Sequence, residues 1–295
     1  MGYLFLSFAL ICGATKGFCG KKLSGYADNT QSAVLLNFIR MLLCTVFSFA
    51  VVLFSSDIGC LSFDINILLI SALSGVATAL FVVSWLLAVR KSAYMMLDVF
   101  LMLGTLLPIA TGSLFFHEPI SPRQIIGFLL LLMAVLTMCS YNNAVKERLS
   151  FAAVLLLIGC GITSGISSAS QKVFVSTFPE TPISVFNLYT YVFASIVLLL
   201  FFVFASGKKH IRFNRDRSKR PFVFIGIMAV ALSLYSYFST MAASYLDSVR
   251  LYPLHQGASL VIATLMAHIF FKEKLSAKAI VGITSAFFAL LIMNL

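Results

Sequence analysis

Charge is what this sequence has least of. Only 11% of its 295 residues are charged and only 10 are acidic, where a soluble domain carries about 25% charged residues. With 60% hydrophobic residues, 29 Phe included in that share, the chain cannot cover its own surface in water. A soluble globular protein is excluded, and a polytopic membrane protein is what remains. Signatures of catalysis and cofactor binding are also missing. The six cysteines, Cys12, Cys19, Cys44, Cys60, Cys139 and Cys160, contain no Cys-x-x-Cys pair, so they read as small packing residues and not as zinc ligands. His117-Glu118 begins a His-Glu-x-x-His motif, but Ser121 stands where the second His belongs. No Gly-x4-Gly-Lys-Ser/Thr occurs, which excludes a nucleotide-driven pump within this chain. Ser164 in Gly-Ile-Thr-Ser-Gly has no His near it in sequence. No cofactor, no metal and no enzyme activity are expected; an intramembrane lipid-modifying enzyme and a channel stand as alternatives.

What is present is a series of long apolar runs. Crossing a bilayer takes about 20 mostly apolar residues per helix. Ten segments meet that need: 3–20, 33–54, 67–89, 93–116, 124–140, 152–172, 184–205, 222–243, 251–271 and 277–295. Their length and lack of alternation predict helices and not barrel strands. Segment one lacks a basic stretch before Tyr3 and a small-x-small cleavage site, so it is expected to be retained, not removed as a signal peptide.

The runs fall into two related halves, 1–145 and 146–295. Phe115-Phe116-His-Glu118-Pro-Ile-Ser121, followed by Ile125 and Gly127, recurs 155 residues later as Phe270-Phe271-Lys-Glu273-Lys-Leu-Ser276, followed by Ile280 and Gly282. Cys12-Gly13-Ala-Thr15-Lys-Gly17 recurs 148 residues later as Cys160-Gly161-Ile-Thr163-Ser-Gly165. Five helices per half is odd, so the second half enters the membrane from the opposite side. The expected fold is therefore an all-α integral membrane protein of ten transmembrane helices in two inverted five-helix repeats, an architecture that recurs in secondary transporters.

The net charge of +11 follows from topology and not from nucleic-acid binding. Odd-numbered connections carry the basic residues, from Lys21 and Lys22 through Arg90 and Lys91 to Lys272 and Lys274. The other side holds Arg123, Lys172, Arg250 and the acidic stretch from Asp57 to Asp64. The positive-inside rule then puts both termini outside the cytoplasm, with the cell (inner) membrane of a prokaryote as the expected location.

The Phe-Phe-x-Glu-x-Ile/Leu-Ser block with its following Gly, present at Glu118 and at Glu273, resembles the EamA-type signature of the drug/metabolite transporter superfamily, and Phe38-Ile39-Arg40 is similar to that family's second helix. The resemblance spans the chain in length, helix count and repeats. It implies a substrate site between the halves, transport without nucleotide hydrolysis, and in many members cytoplasmic termini, the reverse of what the loop charges argue here.

Candidate pathway residues are the ionisable and polar side chains inside apolar runs, because each charge there costs roughly 2.5–3.5 kcal/mol on insertion scales. Lys16, Arg40 and Asp98 lie at comparable depth, which suggests an ion-paired cluster whose excess positive charge favours a substrate acid group. Structural alternatives are an Arg40–Asp98 pair that fixes packing and a Lys16 that snorkels to the interface. Asn187, Tyr189, Tyr235, His255 and Gln256 are the polar candidates of the second half, and His255 can change protonation near neutral pH. Gly13, Gly17, Gly161 and Gly165 form two GxxxG spacings, read as close helix packing and as places where the halves slide. The expected partners are a small anionic or zwitterionic metabolite such as an amino acid or organic acid, the lipid bilayer, protons or another coupling ion, and a second copy of the chain in a homodimer.

Overall fold

A computed structural model describes residues 1–26, 30–55, 57–61, 64–91, 94–139, 151–205, 220–272 and 277–294. All the regular structure among them is helical. The helices are α1 (Gly2–Ser24), α2 (Thr30–Phe54), α3 (Ile65–Lys91), α4 (Tyr94–Gly104), α5 (Leu106–Phe116), α6 (Pro122–Cys139), α7 (Phe151–Thr177), α8 (Ile183–Ala205), α9 (Arg220–Tyr245), α10 (Ser248–Phe271) and α11 (Ala277–Asn294). A 3-10 turn, Asp57–Cys60, lies between α2 and α3. Each of the ten apolar runs is occupied by helix.

Among the described residues, six helices, α1, α2, α3, α7, α8 and α9, are long and apolar enough to cross a membrane. At 1.5 Å per residue, 25 residues of α2 reach about 37 Å, more than the ~30 Å hydrocarbon core. The fourth run is split into α4 and α5, and α10 carries Arg250, Pro253, His255 and Gln256. Large apolar side chains such as Phe54, Leu69, Phe204 and Phe288 stand outward, as a lipid-facing surface requires. The protein is an all-α membrane protein.

Proline explains the split between α4 and α5. Pro108 has no N–H, so the Gly104 carbonyl four residues earlier loses its helical partner. The chain tightens there: Thr105 N donates to Met102 O at 3.0 Å and Thr105 Oγ1 to the same oxygen at 2.7 Å. The freed Gly104 carbonyl lies against α7, where a side chain at Gly165 would run into it.

The turn after α5 is built by its motif. His117 takes a left-handed conformation (φ 53°, ψ 31°), and Glu118 N donates back to Gly112 O at 3.2 Å. Ser121 and Gln124 then form a reciprocal capping box, Ser121 N to Gln124 Oε1 at 2.8 Å and Gln124 N to Ser121 Oγ at 3.3 Å, which starts α6 with Pro122 at its first position. Lys272, 155 residues after His117, is the other non-glycine residue with positive φ (55°) among those described. Glu273, which follows it, lies outside the described residues.

Helices from early and late in the chain interleave. α1 packs along α9 and α3 along α7; α2 faces α8 and α6 faces α11; α4 and α5 run against α7, and α10 touches α1. Two of the apolar clusters in the interior lie around Trp85, Leu86, Leu97 and Met228 and around Met41, Val82, Tyr191 and Leu198. Between them lies the cavity described next.

Candidate functional site

A cavity of about 100 Å³ opens where α1, α3, α4, α7, α8, α9 and α10 converge. Each helix contributes one stripe. On α7 the lining residues are Ser164, Ser167, Ser168 and Gln171, spaced i, i+3, i+4 and i+7, so that one helical face is polar. Across from it stand Ser74 and Thr78 of α3, Thr190 of α8, Ser236 of α9, and Gln256 and Ser259 of α10. Phe81, Trp85, Leu101 and Met266 give the wall an apolar sector. A ligand here meets hydroxyl and amide groups on one side and hydrocarbon on the other, the composition usual for small-molecule sites.

Lys16 brings the cavity its ammonium. Its Nζ lies 3.9 Å from the centre of the Tyr235 ring and 6.0 Å from that of Phe81, within cation–π range of both faces. Gly13, one turn earlier on α1, lets Tyr235 come close: a side chain there would touch the ring at 3.4 Å. The His255 ring also packs on Tyr235, centroid to centroid 5.4 Å, and its buried Nε2 has no hydrogen-bond partner among the described residues. Lys16 and His255 thus both pack on the Tyr235 ring; Gln256 lines the cavity, whereas His255 stands behind its wall.

The other expected residues are placed differently. Arg40 is buried, with Nη1 3.2 Å from Met228 Sδ, and is not part of the cavity wall. The Asp98 side chain lies outside the described residues, so the expected three-membered cluster reduces here to one cation in the cavity and one packed between α2 and α9. Asn187 stands behind the wall: Gln171 Nε2 donates to Ser236 Oγ at 3.3 Å, and Ser236 Oγ to Asn187 Oδ1 at 2.8 Å. Tyr189 packs with Phe174 and Phe186 in a separate apolar cluster. Gly17 lines the cavity together with Gly13. Gly161 and Gly165 instead let α7 lie backbone to backbone on α4, since a side chain at either would strike the carbonyl of Phe100 or Gly104.

Two charged residues matter that the apolar runs had set aside. Lys172 was expected to end a helix among the outer loop charges. α7 continues past it to Thr177, because Val173, Phe174 and Val175 extend the apolar pattern. Lys172 Nζ lies 2.5 Å from Glu118 Oε1, with side-chain exposures of 8% and 9%. Nζ also donates to the carbonyls of Ala243 and Leu246 at 3.4 and 3.3 Å, and Glu118 Oε2 accepts from Ser248 N at 2.8 Å. The polar face of α7 was equally overlooked, although its i, i+3, i+4, i+7 spacing was visible in the sequence.

Comparison with known proteins agrees with this architecture. Residues 151–295 match the EamA-like transporter family. No curated protein matches the chain. Among solved structures, one crystal structure aligns with a TM-score of 0.69 at 14% identity, over 97% of this chain and 96% of the other. At that identity the likeness concerns the fold alone.

Proposed function

The chain belongs to the EamA-like transporter family, which its second half matches, and on that premise we propose that it carries a small anionic or zwitterionic organic metabolite through the Lys16 cavity. The carrying observation is the ammonium of Lys16 on the wall of a cavity otherwise lined by hydroxyls, amides and hydrocarbon. A substrate acid group is the natural partner of that charge, and the serines of α7 and Gln256 supply donors to its remaining oxygens. α1 has no Asp or Glu, so it offers no anion for a cationic drug.

Alternating access by ten spans in two inverted five-helix repeats, 1–145 and 146–295, completes the proposal. Its support is a pattern of exchange. Swapping each helix for its counterpart five runs later turns the α1–α9 contact into α7–α3 and leaves α2–α8 and α6–α11 paired as before. His117 and Lys272, at matching positions, share the left-handed turn. Lys16 and Ser164, 148 residues apart, both line the cavity. By the positive-inside rule the basic loops support a topology with both termini outside the cytoplasm.

The test is a thermal-shift screen of the purified protein against organic acids, amino acids, nucleobases and quaternary ammonium compounds, since a ligand that binds only the folded state raises its stability. Stabilisation by acids that disappears in Lys16→Gln is expected. Tight binding of quaternary ammonium compounds, undiminished in Lys16→Gln, would overturn the substrate class.

A further inference from the structure

The Glu118–Lys172 pair joins the two halves of the chain. Glu118 sits at the turn after α5; Lys172, Ser248 and the carbonyls of Ala243 and Leu246 come from α7 and from the junction of α9 with α10. All of them gather at one end of the bundle. The cavity begins directly beneath: Gln171, next to Lys172, and Ser168, one turn earlier, are both in its wall. Tyr252 closes the same corner by donating from its hydroxyl to Ser168 O at 2.9 Å. Gly112 leaves the room needed, because a side chain there would occupy the position of the Glu118 carboxylate.

We propose that Glu118 and Lys172 form the gate that shuts the cavity at the end of the bundle where α5 and α7 finish and α10 begins. A gate must be a contact made in one state and lost in another, for only a differential interaction shifts a conformational equilibrium. A buried ion pair suits that role better than apolar packing. It adds little net stability because both charges give up water, yet removing one partner leaves the other charge buried and uncompensated. In the open state both charges meet water, so neutralising either one penalises the closed state selectively. The backbone contacts reinforce this. Ser248 N and the Ala243 and Leu246 carbonyls lie at helix ends, so parting Glu118 from Lys172 frees the α9–α10 junction to move away from α5.

This inference rests on the reading of the cavity as the substrate site, but its test reads access and not transport. Ser164→Cys places a thiol on the cavity wall, in a chain whose native cysteines are replaced by serine. A membrane-impermeant maleimide is then applied to either face, using intact cells and inverted vesicles. Glu118→Gln is the decisive variant, because its amide oxygen still accepts from Ser248 N while the ion pair is lost. Labelling through the gated face should rise at least about tenfold in Glu118→Gln and in Lys172→Met, the population shift expected when a buried charge loses its partner. Lys172→Arg keeps the charge and should label like the parent. Unchanged labelling in a folded Glu118→Gln, or an equal rise from both faces, would overturn the gate. Should Lys172→Met fail to fold, Glu118→Gln decides alone. Failure of the substrate reading would leave these labelling rates as they are and appear only in the ligand screen.

Discussion

The ammonium of Lys16 and the ring of Tyr235 face each other at 3.9 Å, one from the first helix and the other from the ninth, so a single contact ties the cation of the cavity to the packing of α1 on α9. A cation over an aromatic face gains about 0.5–2 kcal/mol, less than a charge-assisted hydrogen bond to an acid group at about 1.5–3 kcal/mol. An incoming carboxylate therefore outcompetes the ring. Lys16→Gln is expected to weaken binding of an acidic ligand about tenfold or more, measured by titration of the purified protein. Tyr235→Phe keeps the ring face and should bind more tightly than Tyr235→Leu. Equal affinities for Lys16→Gln and the parent would remove Lys16 from the site.

The glycines of α7 should separate by position. Gly161 and Gly165 meet the backbone of α4, whereas Gly159 has nothing within 4 Å of where a side chain would begin. Neither backbone can yield without moving a helix. Gly165→Ala is thus expected to cost about 1–3 kcal/mol as an overpacked contact. Gly159→Ala should be neutral or stabilising by up to ~1 kcal/mol through helix propensity. Melting temperatures in detergent compare the two, and equal loss in both would show that α7 does not depend on its approach to α4.

Orientation can be read from a native thiol. Cys60 is exposed on the turn between α2 and α3, while Cys19, Cys44 and Cys160 are buried. That turn lies at the opposite end of the bundle from Lys21 and Lys22 of α1. If the basic loops are cytoplasmic, an impermeant maleimide should label Cys60 in intact cells, and Cys60→Ser should remove that signal. Labelling of Cys60 only in inverted vesicles would reverse the topology.

Helix positions were legible in the sequence because run length and turn residues are local properties. The break at Gly104 is legible too, in Pro108, although the run from 93 to 116 is long enough to read as one span. Site residues divide by what determines them. Lys16 could be selected on charge and depth alone. Arg40 could be selected the same way, but which face of α2 it occupies depends on α9, and the sequence of α2 does not encode that. Lys172 was misplaced for a different reason. A lysine near the end of an apolar run resembles a boundary, and only its partner Glu118, distant in the chain, shows that it is interior. Pairs that form across the two halves leave no local trace.

The last expectation concerns energy coupling. A transporter accumulates substrate only if a second ligand biases its two states differently. A proton on His255 is the expected second ligand. The His255 ring packs on Tyr235 at 5.4 Å, on the ring that also carries Lys16. A proton on His255 adds a second positive charge beside Lys16, which a bound substrate acid group offsets. Anion and proton binding are thereby linked, each favouring the other. Asp98 is the other titratable candidate, on α4, which packs against α10. Uptake of an acidic substrate into proteoliposomes should quicken when the outside is acidic and the inside alkaline. His255→Gln should transport at a rate that ignores the gradient, while Asp98→Asn should still respond to it. If only Asp98→Asn loses the response, the proton binds on α4 instead. If the parent itself ignores the gradient, coupling is to another ion or to exchange.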